Sequence, residues 1–75
     1  MEIFVKLYEV DTKHGPVWIR LTAPIAGPPG EPIYPETMKF QYRGYIDGMY
    51  APVRREDTAE RIYIPAYAEV EVLDG

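Results

Sequence analysis

The chain has 75 residues, and eight Lys and Arg residues against twelve Asp and Glu leave it a net charge of −4. A domain of this size buries only roughly 60% of the surface that its unfolded chain exposes, so we predict one small domain over residues 1–75. The chain has no cysteine, which excludes a disulfide framework. No apolar run approaches the roughly 18 residues that a membrane-spanning helix requires, so we expect no membrane contact and a cytoplasmic location.

The composition is poor in heat-labile residues. The chain contains no Asn, no Ser and no Cys, and its only Gln is Gln41. Depletion of amides and thiols, together with loops stiffened by proline, is typical of proteins from hyperthermophiles. The composition therefore indicates a thermophilic source.

Two alternating segments begin the chain and predict an antiparallel hairpin. In Glu2–Val10 and again in Val17–Thr22, apolar side chains occupy every second position, as in strands with one buried face. Turn-forming residues between the two segments, ending in Gly15 and Pro16, predict a connection of five or six residues. The side chains assigned to the buried faces are Ile3, Val5, Leu7, Val17, Ile19 and Leu21.

The middle of the chain is rich in proline. Five of the eight prolines lie between Pro24 and Pro35, and each one fixes φ and removes a backbone donor. We therefore predict a long, stiff surface loop over Ala23–Glu36. Pro29, Pro32 and Pro35 recur every three residues, which is the spacing of one edge of a polyproline II helix.

A third alternating strand, Met38–Ile46, follows the proline segment, with Met38, Phe40, Tyr42 and Ile46 on its buried face. Asp47-Gly48 favours a two-residue hairpin turn into a short strand, Met49–Val53. Pro52 restricts that fourth strand to an edge or an end of the sheet, because proline has no N–H to donate.

The C-terminal segment predicts a helical turn and two further strands. Arg54–Glu60 is the only helix candidate, since Asp57-Thr58-Ala59-Glu60 resembles a capping box. Strand alternation resumes at Ile62 and Ile64, a corner follows at Pro65–Tyr67, and a last strand runs from Ala68 to Val72. The whole pattern predicts an all-β fold, a small barrel of five or six strands with one short helical turn. SH3-like and OB-like topologies both remain open, because they differ in the order of strand pairing.

Side chains suited to catalysis are scarce. The chain has neither Ser nor Cys as a nucleophile, and its single histidine, His14, lies in a turn-forming loop with no identified orienting partner. The acidic residues show no EF-hand spacing, and no thiolate or second histidine offers a zinc site. We expect no enzymatic activity, no cofactor and no metal.

The aromatic residues provide the leading functional hypothesis. Alternation assigns five of the ten aromatic side chains to outward faces, and Tyr and Trp supply large contact areas at interfaces. We expect a non-enzymatic protein-binding module, either a homo-oligomer or a small subunit of a larger assembly. In the alternative interpretation, the proline loop covers the aromatic face with Ile33 and Tyr34. The expected contact residues are Phe4, Tyr8, Trp18, Tyr63, Pro29, Pro32, Tyr34 and Pro35.

The distribution of charge provides a second functional hypothesis. Residues 38–55 carry four basic side chains against one acidic side chain, whereas the flanking segments have net charges of −2 and −5. Cations interleaved with aromatic rings are typical of proteins that bind single-stranded DNA or RNA. Local ion pairs of Arg54 and Arg55 with Glu56 and Asp57 would explain the same pattern. The residues expected to bind nucleic acid are Lys39, Arg43, Tyr45, Tyr50, Arg54 and Arg55.

Overall fold

The computed structural model describes residues 3–73, which form short β-strands and one turn of 3-10 helix at Leu7–Glu9. The strands are β1 (Ile3–Lys6), β2 (Val17–Leu21), β3 (Ile25–Ala26), β4 (Ile33–Tyr34), β5 (Lys39–Tyr42), β6 (Tyr50–Arg55), β7 (Arg61–Pro65) and β8 (Glu69–Val72). The predicted all-β class is confirmed. No helix within these described residues is long and apolar enough to cross a membrane.

Six strands form one antiparallel sheet in the order β1-β8-β2-β5-β6-β7, and β3 and β4 form a separate small hairpin. The predicted hairpin of the first two strands is wrong, because β8 lies between β1 and β2 and pairs with both. Phe4 of β1 and Arg20 of β2 lie on opposite sides of Glu71. Alternation reveals which face of a strand is buried, but it does not reveal which strand lies beside it.

The sheet remains open over residues 3–73, so the predicted barrel closure is not confirmed. Its edges are β1 and β7, which form no ladder with each other. The chain beyond β1 nevertheless reaches the corner beyond β7, where the Tyr8 N–H donates to the Ala66 carbonyl at 3.0 Å. The Ala66 N–H in turn donates to the Met49 carbonyl at 2.9 Å. The sheet is therefore strongly curled, and these bonds hold its two edges together at one end.

Other groups of the chain occupy part of each sheet edge. On β1 the Glu9 carboxylate accepts a hydrogen bond from the Lys6 N–H at 3.0 Å. On β7 the β3–β4 hairpin lies close to the strand, and a Cβ added at Gly27 would stand 3.2 Å from the Tyr63 carbonyl oxygen. Such covering blunts the tendency of exposed strands to aggregate.

The core lies on the inner face of the curled sheet, and the alternation predicted most of it. Leu7, Ile19 and Leu21 are buried as predicted, and the third strand contributes most of its predicted inner face. The proline segment adds Tyr34, whose burial raises the pKa of its hydroxyl. The largest fully buried side chains are Phe40, Leu7, Ile19, Leu21, Ile64, Val70 and Pro65.

The helical turn predicted over Arg54–Glu60 is wrong, and this segment forms a β-hairpin connection instead. Arg54 and Arg55 end β6, and the Arg55 N–H donates to the Glu60 carbonyl at 3.0 Å. The side chain of Asp57 does not begin a helix, because its carboxylate binds the Arg55 guanidinium. The one helical turn lies instead at Leu7–Glu9, where alternation predicted the end of the first strand.

Pro52 does not confine its strand to an edge, since β6 lies between β5 and β7. The Glu56 N–H donates to the Lys39 carbonyl of β5, so every second residue before Glu56 directs its backbone nitrogen toward β5. Pro52 is one of these residues, but β5 has already ended at Tyr42, opposite Val53. The missing N–H of Pro52 therefore removes no ladder hydrogen bond.

Gly44 lies two residues beyond Tyr42, where β5 ends, although the strand was predicted to continue to Ile46. Its φ is +93°, and a Cβ built there would lie 2.5 Å from the Thr12 Oγ1. We predict that Gly44→Ala lowers the free energy of unfolding by about 3 kcal/mol, because backbone strain and overpacking add. Urea denaturation followed by Trp18 fluorescence measures this loss.

Gly48 provides the matched control for Gly44. It also has a positive φ, +65°, but no atom lies within 4 Å of its added Cβ. Gly48→Ala is expected to cost only about 1 kcal/mol, and Thr12→Ala should restore part of the stability lost in Gly44→Ala. Equal losses at the two glycines would contradict the steric explanation.

Candidate binding surfaces

The aromatic side chains expected to bind a protein do not form one patch. Phe4 on β1 and Tyr8 in the 3-10 helix are exposed, whereas Trp18 on β2 and Tyr63 on β7 are half-buried. Strands β8, β5 and β6 lie between the elements that carry them. The outward faces were assigned correctly, but the side chains are spread over β1, the 3-10 helix, β2 and β7.

The proline segment contributes one aromatic side chain to the core and leaves its prolines at the surface. Pro29, Pro32 and Pro35 are exposed, but Tyr34 is only 3% exposed and is therefore not available to a partner. The hairpin lies close to β7, where Gly27 approaches the backbone carbonyl of Tyr63. Ile33 is 69% exposed and Tyr34 packs in the core, which does not support the alternative interpretation in which these two side chains cover the aromatic face.

A row of polar and aromatic side chains crosses the outer face of the sheet from β2 to β7. In the strand register Trp18 lies opposite Gln41, Gln41 lies opposite Arg54, and Arg54 lies opposite Arg61. Each of them has at least one sequence neighbour in the core, namely Ile19, Phe40, Val53 or Ile62, so the row faces outward. Sequence reasoning did not include Arg61, because it stands in an acidic stretch of the chain.

A groove of about 130 Å³ lies over part of this row, and we call it the arginine groove. Its lining includes three of the five arginines and one strongly exposed aromatic ring. Arg43, Tyr45 and Arg54 of the predicted nucleic-acid set meet here, whereas Lys39, Tyr50 and Arg55 do not line the groove. The full lining is Gln41, Arg43, Tyr45, Pro52, Val53, Arg54 and Arg61.

The arginines differ in whether a carboxylate neutralises them. Arg55 binds Asp57 through two hydrogen bonds, of 2.9 Å from Nε and 2.7 Å from Nη2, and Arg20 forms an ion pair with Glu71. Within residues 3–73 the three groove arginines form no ion pair, and Arg54 donates to the Ala59 carbonyl at 2.9 Å. The expected local ion pairing therefore applies to Arg55 and not to Arg54.

A second surface consists of large apolar side chains at one end of the sheet, and we call it the apolar end. It comprises Tyr8, Ile46, Met49 and Tyr67, each between 45% and 67% exposed. The backbone bonds from Tyr8 to Ala66 and from Ala66 to Met49 bring their three segments together. Only Tyr8 was predicted to be a contact residue. Bulky apolar residues inside turn-forming segments, such as Met49 and Tyr67, were the sequence signal that was missed.

Comparison with protein-family models, with curated proteins and with solved structures finds no match to this chain. Among residues 3–73 no group of three or more His, Asp and Glu side chains is arranged to hold a metal ion. The two surfaces are therefore interpreted from their own chemistry, as one cationic groove and one apolar patch.

The Arg55–Asp57 pair makes a prediction about proton binding. Hydrogen bonds from Arg55 lower the pKa of the Asp57 carboxyl group below its ordinary value. The stability that this pair contributes is therefore complete above the ordinary Asp pKa, and it is lost as pH falls through the lowered folded-state value. An NMR titration of the Asp57 side-chain carbon should find the lowered pKa, and Arg55→Gln should return it to the ordinary range. An unchanged titration in Arg55→Gln would disprove the cause.

The Arg20–Glu71 pair makes a prediction about stability, because Glu71 is buried and Arg20 only partly exposed. Removing one partner of a buried pair leaves an uncompensated charge, so Arg20→Met should cost about 3 kcal/mol of unfolding free energy. The double variant Arg20→Met with Glu71→Leu should recover most of that loss. Chemical denaturation of Arg20→Met, Glu71→Leu and the double variant tests this. A loss of stability in the double variant that equals the sum of the two single losses would contradict it.

Proposed function

We propose that this chain is a non-enzymatic protein-binding module that contacts its partner through the apolar end. The observation that supports this most directly is the grouping of Tyr8, Ile46, Met49 and Tyr67 on hydrogen-bonded neighbouring segments. Contiguous exposed apolar patches are uncommon on monomeric proteins and mark interaction sites. The partner is either a second copy of this chain or another subunit of a larger assembly.

The chemistry of the apolar end suits a protein interface. Two of its side chains are tyrosines, which combine apolar area with a hydroxyl that hydrogen-bonds at the interface rim. Met49 adds a flexible thioether that adapts to the shape of a partner. The backbone beneath the patch is held by hydrogen bonds of 2.9 and 3.0 Å, so binding has little chain ordering to oppose it.

The composition supports a cytoplasmic location and a thermophilic source for this module. A chain without cysteine requires no oxidising compartment, which favours the cytoplasm. The absence of Asn and Ser, together with eight prolines, favours a thermophilic source.

The first test measures the mass of the protein in solution by light scattering. For a homo-oligomer, Met49→Lys should shift the mass to that of the monomer, because a charge desolvated at the contact is costly. Ile33→Lys is the matched control, since Ile33 is equally exposed, at 69%, but lies on the separate β3–β4 hairpin. It should leave the mass unchanged.

If the wild-type chain is a monomer, a photo-crosslinking side chain at Tyr67 should capture one discrete protein from an extract of the source cells. The same crosslinker at Ile33 should not capture that protein, and Met49→Lys should abolish the adduct at Tyr67. A monomer that gives no discrete adduct, or identical adducts at the two positions, would refute the proposed function.

A further inference from the structure

The arginine groove contains a charge arrangement that folding does not explain. Arg54 and Arg61 lie directly opposite each other on β6 and β7, and Arg43 lines the same groove. Like charges placed directly opposite each other destabilise a strand pair. In the described part of the chain no carboxylate lies within ion-pair distance of any of the three, although the protein is acidic overall. An anionic ligand would supply the missing countercharge.

The guanidinium groups are suited to phosphate oxygens. Each presents a planar fork of N–H donors that binds two oxygens of one phosphate. Arg54 uses one donor on the Ala59 carbonyl, at 2.9 Å, which orients the side chain and leaves its other donors free. Adjacent strands stand about 4.8 Å apart, so Arg54 and Arg61 are close enough to share one phosphate or to hold two consecutive ones.

Aromatic rings accompany these cations on the same face of the sheet. Tyr45 lines the groove and is 68% exposed, and Trp18 stands at the β2 end of the row, next to Gln41. Tyr63 follows Arg61 on the same outward face of β7. Aromatic rings beside a cationic groove provide surfaces on which the bases of a single strand stack. The bases of a duplex are already stacked on one another, so they are not available to these rings.

We infer that the arginine groove is a binding site for single-stranded nucleic acid. Arg43, Arg54 and Arg61 hold the phosphates, and the rings of Tyr45 and Trp18 stack on bases. Arg55 and Arg20 take no part, because Asp57 and Glu71 already neutralise them. None of the four side chains of the apolar end lines the groove, so the inference uses a different set of residues from the proposed protein contact.

The test uses the full chain and a fluorescein-labelled ten-nucleotide oligomer of mixed sequence, as DNA and as RNA, followed by anisotropy. Three phosphate contacts on a single strand predict a slope of about −2 for log affinity against log salt, so Kd should rise about 100-fold per tenfold increase in salt. Trp18 fluorescence should change over the same titration. Binding of this kind would support the site.

Two arginines on neighbouring strands provide matched variants for this titration. Arg61→Gln should weaken binding about tenfold and make the salt dependence shallower, because it removes one phosphate contact. Arg55→Gln makes the same change in net charge on the same hairpin, but Asp57 occupies that guanidinium, so it should change Kd less than twofold. Arg43→Gln repeats the measurement if Arg61→Gln does not fold, as judged by circular dichroism.

Substitution of the ring separates a nucleic-acid site from a general anion site. Tyr45→Ala should weaken oligomer binding at least fivefold while Tyr45→Phe retains it, and inorganic polyphosphate should compete poorly. The inference is overturned if the wild-type chain gives flat anisotropy at 20 mM salt, or if Arg61→Gln and Arg55→Gln weaken binding equally. It is also overturned if polyphosphate competes fully while Tyr45→Ala has no effect, or if a ten-base-pair duplex binds as tightly as the single strand.

Discussion

Strand β8 lies between β1 and β2 and joins β1 to the rest of the sheet. Within residues 3–73, β8 is the only strand that pairs with β1, and it also pairs with one edge of β2. Val70 of β8 is fully buried, while Glu71 faces outward between Phe4 and Arg20 and pairs with the arginine. A slip of one residue would turn the carboxylates of β8 into the core, so apolar burial and the ion pair specify the same register.

Local patterns in the sequence predicted the faces of the strands but not the order of their pairing. Alternation identified Ile19, Leu21 and Phe40 as core residues, because a period of two depends only on the strand itself. The place of β8 depends on residues about 50 to 70 positions away, and short patterns contain no information about such pairing. Asp57 shows a second reason why a local pattern fails. Its sequence context predicted a helix cap, but its carboxylate accepts two hydrogen bonds from Arg55 instead.

In the candidate sites, too, residues close together in sequence were predicted, whereas residues brought together by strand pairing were missed. Tyr45, Arg43 and Arg54 were found because they lie close together along the chain. Arg61 joins them only through the pairing of β6 with β7, although an acidic stretch of sequence surrounds it. Charge summed over a segment predicted the basic region, but the register decided which cations share a groove and which, like Arg55, are already neutralised.

The position of β8 also makes completion of the sheet depend on contacts between distant parts of the chain. Ile3 pairs with Val72, 69 residues further along the chain, so the most distant segments must meet before the sheet is complete. Non-local pairing of this kind raises contact order and slows folding. Because β1 is synthesised before β8, it lacks the strand with which it pairs in residues 3–73 until residues 69–72 follow. The hydrogen bond from the Lys6 N–H to the Glu9 carboxylate joins residues only three positions apart, so it does not require β8, and it occupies one N–H on the free edge of the unpaired strand.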